Sequence, residues 1–340
     1  MFGLGWLRAL TDARGLLEHA HHGVPRLGEG YTTDDNARAL LYLSLLPEGA
    51  RDEGLVRTYL AFLLHMQKED GRFRNGLTLD GRFEDEGEAE DPTGRAVLAL
   101  AAAQRLPPPY AGPAREALLR ALPALEGFTS LRGRAYALLG LLALPTEPFL
   151  EAAEALGEGL LRAFRAADPA GPYPGPLTYA NHRPVEALYA YGLAFRRQEA
   201  VALARRALAF LKEHYFTPGE EGLFFDPVGN RFMARGRDKP LFDQQPIEAK
   251  CALLAHLRFG ERVLAEVAFL WFHGRNRLRA PLVDAFGPMD GLTPHGPNQN
   301  RGAEALLAYL LAWQALVQGV FPQVDEGVAL GRVFALGGRP

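Results

Sequence analysis

Six stretches of this chain begin alike, and that repetition constrains the fold more than any other feature. Each has a small or apolar residue, then Arg or Glu, then Ala, then an apolar run. The six starts are Ala37-Arg38-Ala39, Gly94-Arg95-Ala96, Gly133-Arg134-Ala135, Val185-Glu186-Ala187, Ile247-Glu248-Ala249 and Ala303-Glu304-Ala305. The runs that follow are apolar on nearly every face at helical spacing, so they read as buried helices. Between them, residues 53–67, 112–125, 147–166, 199–214 and 260–273 carry one polar stripe each. Buried and amphipathic helices alternating at about 40 to 60 residues predict an inner ring wrapped by an outer ring. That architecture is all-α, an (α/α)6 barrel or six-hairpin toroid. The sixth outer helix is expected over residues 2–18, and with no linker-like break the whole of 1–340 reads as one domain.

Several inner helices carry start signals. Asp91-Pro92, Arg183-Pro184 and Gln245-Pro246 place Pro at an expected first helical position. One turn before each Arg or Glu stands Asp34, Asp91, Ser130, His182, Gln244 or Asn300. If the inner helices are parallel, these six polar residues ring one mouth of the barrel, together with six positive helix ends. The segments entering this mouth are long and rich in Gly and aromatics, whereas connections at the other end are short. Function is expected at the mouth.

Composition narrows the ligand. A net charge of -3 and the lack of a basic stripe give no reason to expect nucleic acid or an anionic membrane as partner. No stretch reaches the roughly 18 apolar residues of a spanning helix, and the apolar start lacks the charge and cleavage site of a signal peptide. A cytoplasmic protein is the expectation. The single Cys251, in an apolar run, reads as a buried small hydrophobe. Lys is confined to positions 68, 212, 239 and 250, and Asn, Gln and Met are scarce, a composition that suits a thermophile.

Five ordered motifs carry a family resemblance: Gly30-Tyr31-Thr32-Thr33-Asp34-Asp35-Asn36-Ala37-Arg38, Glu69-Asp70-Gly71-Arg72-Phe73, Glu90-Asp91-Pro92-Thr93-Gly94-Arg95, Phe242-Asp243-Gln244-Gln245-Pro246-Ile247-Glu248, and Asp290-Gly291-Leu292 through Asn298-Gln299-Asn300-Arg301-Gly302-Ala303-Glu304. Together they resemble a bacterial family of helical domains found alone or fused behind retaining glycosyltransferases, whose genes often accompany mannoside-processing enzymes. The resemblance spans nearly the whole chain and implies sugar metabolism, with a glycosyltransferase as a possible partner. The chain lacks the transferase's nucleotide-binding domains, so transferase activity is not implied. At the level of fold it is similar to six-hairpin glycosidases and sugar epimerases.

Glycoside hydrolysis needs one protonated carboxyl and one ionised carboxylate. Asp35, Asp91 and Asp243, with Asp34 and Glu248, are the catalytic candidates. The plainer reading is that Asp34 or Asp91 caps its helix and that Glu248 favours the helix dipole. Arg38, Arg95 and Arg134 occupy the same repeat position as Glu186, Glu248 and Glu304, which predicts a buried salt-bridge network with Arg38–Glu304 as its first pair. Alternatively Arg95 or Arg134 binds a sugar hydroxyl, carboxylate or phosphate. Asn36, Asn181, Gln244, Gln245, Asn298 and Asn300 read as hydroxyl-recognition groups, with Tyr31, Asp290 and Glu304 as further sugar ligands. His182 and His295 read as a base or as polar lining. His19, His21 and His22 lack a third ligand at metal spacing, so no metal site is expected, and no cofactor either.

The reading is a carbohydrate-active protein, a glycoside hydrolase on an oligosaccharide with a mannoside as first candidate. The alternatives are a non-catalytic glycan-binding partner of a glycosyltransferase and a sugar epimerase or isomerase.

Overall fold

The computed structural model describes residues 3–84, 90–234 and 236–320. Over those residues the helices are α1 (Leu4–Ala9), α2 (Thr33–Leu45), α3 (Glu53–Met66), α4 (Glu90–Ala102), α5 (Pro108–Leu125), α6 (Leu131–Leu141), α7 (Phe149–Arg165), α8 (His182–Ala194), α9 (Gln198–Tyr215), α10 (Pro246–Arg258), α11 (Arg262–Leu270) and α12 (Ala303–Gln318). The even-numbered helices are buried on nearly every face and pack one against the next, and α12 returns to pack against α2. The odd-numbered helices lie outside them with one buried stripe each. This is the (α/α)6 barrel that the repeat predicts.

Packing is tightest between α4 and α6. A Cβ built on Gly140 would lie 2.7 Å from the Leu98 Cα, so the two backbones approach through a glycine. Leu43, Leu138 and Leu253 are fully buried between the rings. Each such side chain contributes about 1.5–3 kcal/mol relative to leaving it in water. Cys251 is a free, buried thiol in a separate small cluster with Ala180 and Ile247. Among the described residues no helix is long and apolar enough to cross a membrane.

The two ends of the barrel differ. Residues 46–52, 103–107, 142–148, 195–197 and 259–261 make short turns at one end. At the other, residues 10–32, 67–89, 166–181, 216–245 and 271–302 lead into the inner helices, and only 126–130 is short. These long segments hold the short strands, including a three-stranded sheet of Tyr31–Thr32, Gly76–Leu77 and Phe83–Glu84.

Three details depart from the sequence reading. Pro246 is the first residue of α10 as expected. However, α4 begins at Glu90 and α8 at His182, which places Pro92 and Pro184 inside the first turn. Pro is tolerated there because the first four N–H groups of a helix have no intrahelical acceptor. Asp34 does not cap α2; the hydroxyl of Thr32 does, accepting from the Asp35 N–H at 3.2 Å. The expected sixth outer helix stops at Ala9, with Phe2 outside the described residues. Asp12 accepts from the backbone N–H groups of Arg14 and Gly15 at 2.8 and 3.2 Å, a turn that competes with helix. The chain after it runs inward to the mouth.

Candidate functional site at the mouth of the barrel

The inward run delivers Glu18. Its carbonyl accepts from the Ala303 N–H at 2.9 Å, so it sits against the start of α12. Residues Asp34 and Asp35 open α2, Glu304 opens α12, and Asp290 accepts from the Gly302 N–H at 2.5 Å. These five carboxyls line one cavity of about 300 Å³ with Arg38. Gln245, Thr32, Asn75 and His19 complete its polar wall. Ligand pockets start at about this size.

Burial and charge sort the acids. Asp35 is 3% exposed; its carboxylate accepts from Arg38 at 2.5 Å and from the Thr32 hydroxyl at 3.0 Å. Burial pushes its pKa up against the opposing pull of Arg38. Arg38 also donates to Glu304 at 2.8 Å, so one guanidinium ties two carboxylates together. Arg95 donates to Asp34, and to the Tyr136 hydroxyl at 3.3 Å, and stands over the Tyr136 ring at 4.7 Å. Burial raises Asp290 as well. Glu18 is pushed up to about 8 by burial first, then by Asp35, Glu29, Asp34 and Glu304. Glu18, with its proton held to about pH 8, thus shares the cavity with three carboxyl groups bound to arginine.

Other sequence candidates lie outside this lining. Asp91 accepts from the Ser130 hydroxyl at 2.7 Å, Arg132 at 2.8 Å and the Tyr179 hydroxyl at 2.8 Å. Burial would raise it, but Arg132 and these bonds hold it below its usual range. Asp243 follows a cis peptide bond and accepts from the Asn230 amide at 3.3 Å. Glu248 is 1% exposed, accepts from the Ala180 N–H, and is pushed up to about 7 by burial.

The amides divide the same way. Gln244 is buried between Asp226 (2.8 Å) and the Trp271 indole (2.9 Å). Asn181 donates to the Tyr215 hydroxyl at 2.7 Å, and Asn36 binds the backbone of Leu16 and Thr32. Tyr31 donates to Asp12 at 2.6 Å. Asn298 accepts from the Asn300 N–H at 3.1 Å, on the way into α12. His182 packs edge-on against Tyr215 with its ring fully buried, and burial drives its pKa well down. His295 is exposed at a hairpin tip.

The expected Arg/Glu network forms in part. Arg38–Glu304 is present as the closing pair, and Glu186 pairs with Arg183 at 2.5 Å and Arg258 at 3.0 Å. Arg134 takes no place in it. Its guanidinium donates to the carbonyls of Phe128 and Gly159 and lines a separate cavity of about 380 Å³ between α5 and α7. That cavity is the larger, but none of the candidate acids faces it.

Sequence reading missed Glu18, Asn75 and Thr32 as cavity residues. The signal for Glu18 was present: Asp12-Ala13-Arg14-Gly15 is a turn sequence that ends a helix before Glu18.

No protein-family model and no curated protein matches the chain. Solved structures do. Cellobiose 2-epimerase from Bacillus thermoamylovorans B4167 superposes with a TM-score of 0.67 at 9% identity, covering 91% of this chain and 95% of that one. A D-mannose isomerase gives 0.67 at 10% identity, covering 94% and 96%. A family 76 α-mannanase from Bacteroides thetaiotaomicron gives 0.62 at 11%, covering 98% and 95%. The chain therefore has the six-hairpin glycosidase-like fold. At such identities the likeness extends to fold and not to chemistry.

Proposed function

We propose that the chain is a glycoside hydrolase that acts on an oligosaccharide, with a mannoside as first candidate. One observation carries the reading. A carboxyl kept protonated near neutral pH, Glu18, shares a cavity at the barrel mouth with carboxylates paired to arginine. Glu18 donates its proton to the departing glycosidic oxygen. Glu304, its side chain 39% exposed and one oxygen held by Arg38, is the base that activates water. Asp35 spends its oxygens on Arg38 and Thr32 and acts by positioning Arg38. Gln245, Asn75 and Asp290 suit hydroxyl recognition. The named activities of the structural neighbours, on mannan, mannose and cellobiose, support a sugar as the ligand.

A second reading has one observation in its favour. Asp34, Asp35, Asp290 and Glu304 each already hold an arginine or a backbone N–H, as fixed acceptors in a binding site do. A glycan-binding partner of a separate glycosyltransferase would look like this. Epimerisation at His182 or His295 has less support, because neither lines the cavity.

A thermal-shift screen against mono- and oligosaccharides, followed by mass analysis of each mixture, separates these readings. A stabilising oligosaccharide returned as fragments supports the hydrolase. One returned intact, with unchanged stereochemistry, supports the binding partner and removes the hydrolase.

A further inference from the structure

Each of the six inner helices contributes one side chain to a cluster inside the ring: Arg38, Arg95, Tyr136, Arg183, Lys250 and Glu304. Tyr136 sits between two of the cations, with the Arg95 and Arg183 guanidinium carbons 4.7 and 5.7 Å from its ring centroid. The four cations are 2–5% exposed.

Their partners are unequal. Arg38 holds Asp35 and Glu304, Arg95 holds Asp34, and Arg183 holds Glu186. Lys250 makes no ion pair among the described residues, although it lies close enough to Arg183, Arg38 and Arg95 to feel their charge. Burial first, and then those three cations, bring its ammonium down to about 8. The Nε–H groups of Arg38, Arg95 and Arg183 are also buried with no acceptor. Glu248, two residues earlier on α10, feels the charge of Lys250 without pairing with it, and a buried, unpaired ammonium beside three orphaned donors is costly to leave unfilled. The Nε and adjacent Nη of a guanidinium form the flat fork that matches an oxyanion. Arg38 and Glu304 belong both to this cluster and to the wall of the mouth cavity, so the cluster adjoins the floor of that cavity at these two side chains.

We propose that this cluster is an oxyanion site, and that the saccharide entering the mouth carries a carboxylate or phosphate that seats on Arg38, Arg95 and Lys250. The inference rests on the sugar-binding part of the proposed function and not on cleavage.

Affinity measured by calorimetry on the whole chain tests it, with mannose, its 1- and 6-phosphates, mannuronate, glucuronate and inorganic phosphate as probes. At least one charged sugar is expected to bind about tenfold more tightly than mannose or inorganic phosphate alone, and inorganic phosphate is expected to compete with it. Lys250→Met is expected to lose about tenfold for that sugar and little for mannose. Charged sugars binding no better than mannose would overturn the proposal. Inorganic phosphate binding as tightly as every charged sugar would assign the site to a free ion and overturn the substrate class. The competition needs no variant, so a Lys250→Met chain that fails to fold leaves the test intact. A charged sugar that binds tightly but is never cleaved would sink the hydrolase reading and leave this one standing.

Discussion

The Arg38 guanidinium on α2 reaches Glu304 on α12 at 2.8 Å, across the seam where the last inner helix meets the first. The same side chain holds Asp35 at 2.5 Å. One residue thus links the seam between the first and last inner helices to two carboxyls of the mouth. Glu304 is 39% exposed and the Asp35 side chain only 4%, so the energetic weight falls on Asp35.

Replacing Arg38 by Met leaves Asp35 buried without its cation. The expected cost is about 3–5 kcal/mol, the scale for breaking a buried pair from one side. Denaturant unfolding measures it. In an Asp35→Asn background the same replacement should cost markedly less; an equal cost in both backgrounds would show that the pair is not the cause.

Glu18→Gln should abolish turnover by orders of magnitude and leave the fold intact. It should also change how stability depends on pH. The ordinary value for Glu is 4.5 and burial lifts Glu18 to about 8 in the folded chain. A raised pKa gives stability that is complete below 4.5 and is lost as pH rises toward 8. The melting temperature of Glu18→Gln relative to the parent should therefore climb between those limits. A difference that is flat with pH would contradict the assignment.

Asp91 carries the opposite sign. Against burial, Arg132 first, then the Ser130 hydroxyl and the charge of Arg95, hold it below 3.8, so its contribution is present above that value and is lost as pH falls through the folded value. Asp91→Asn should cost about 1.5–3 kcal/mol at neutral pH, the scale of hydrogen bonds to a charged group. Its effect on kcat should be far smaller than that of Glu18→Gln. Loss of turnover with unchanged stability would instead place Asp91 in the chemistry.

Gly140→Ala should destabilise by about 1–3 kcal/mol, because the new methyl meets the Leu98 backbone at 2.7 Å and not the end of a side chain that can swing away. Thermal unfolding reads this directly, and a neutral result would mean that α4 and α6 separate freely.

The barrel was legible because its inner helices are apolar all round and its outer helices are not. Five outer helices fall within a few residues of their expected positions. Asp34, Asp35, Gln245, Asp290 and Glu304 were legible as residues of the barrel mouth, where they line the cavity, because the repeat places them at inner-helix starts or in the segments leading to them. Gln244, Asn181 and His182 stand in equally suggestive places. Their side chains turn to Trp271 and Tyr215, aromatics supplied by other segments. Periodicity gives a residue its helix position, but not the partners that distant loops bring to it. Glu18 escapes the periodicity because the apolar start reads as one helix over residues 2–18, across the turn at Asp12.

The central claim is that the mouth carboxyls hydrolyse a glycosidic bond. The most direct measurement is the mass of products formed from a stabilising oligosaccharide in ¹⁸O-labelled water, by the parent chain and by Glu18→Gln. The account requires shorter sugars carrying one labelled oxygen per bond cleaved by the parent, and intact sugar from the variant. Intact sugar from both, or equal cleavage by both, would contradict it.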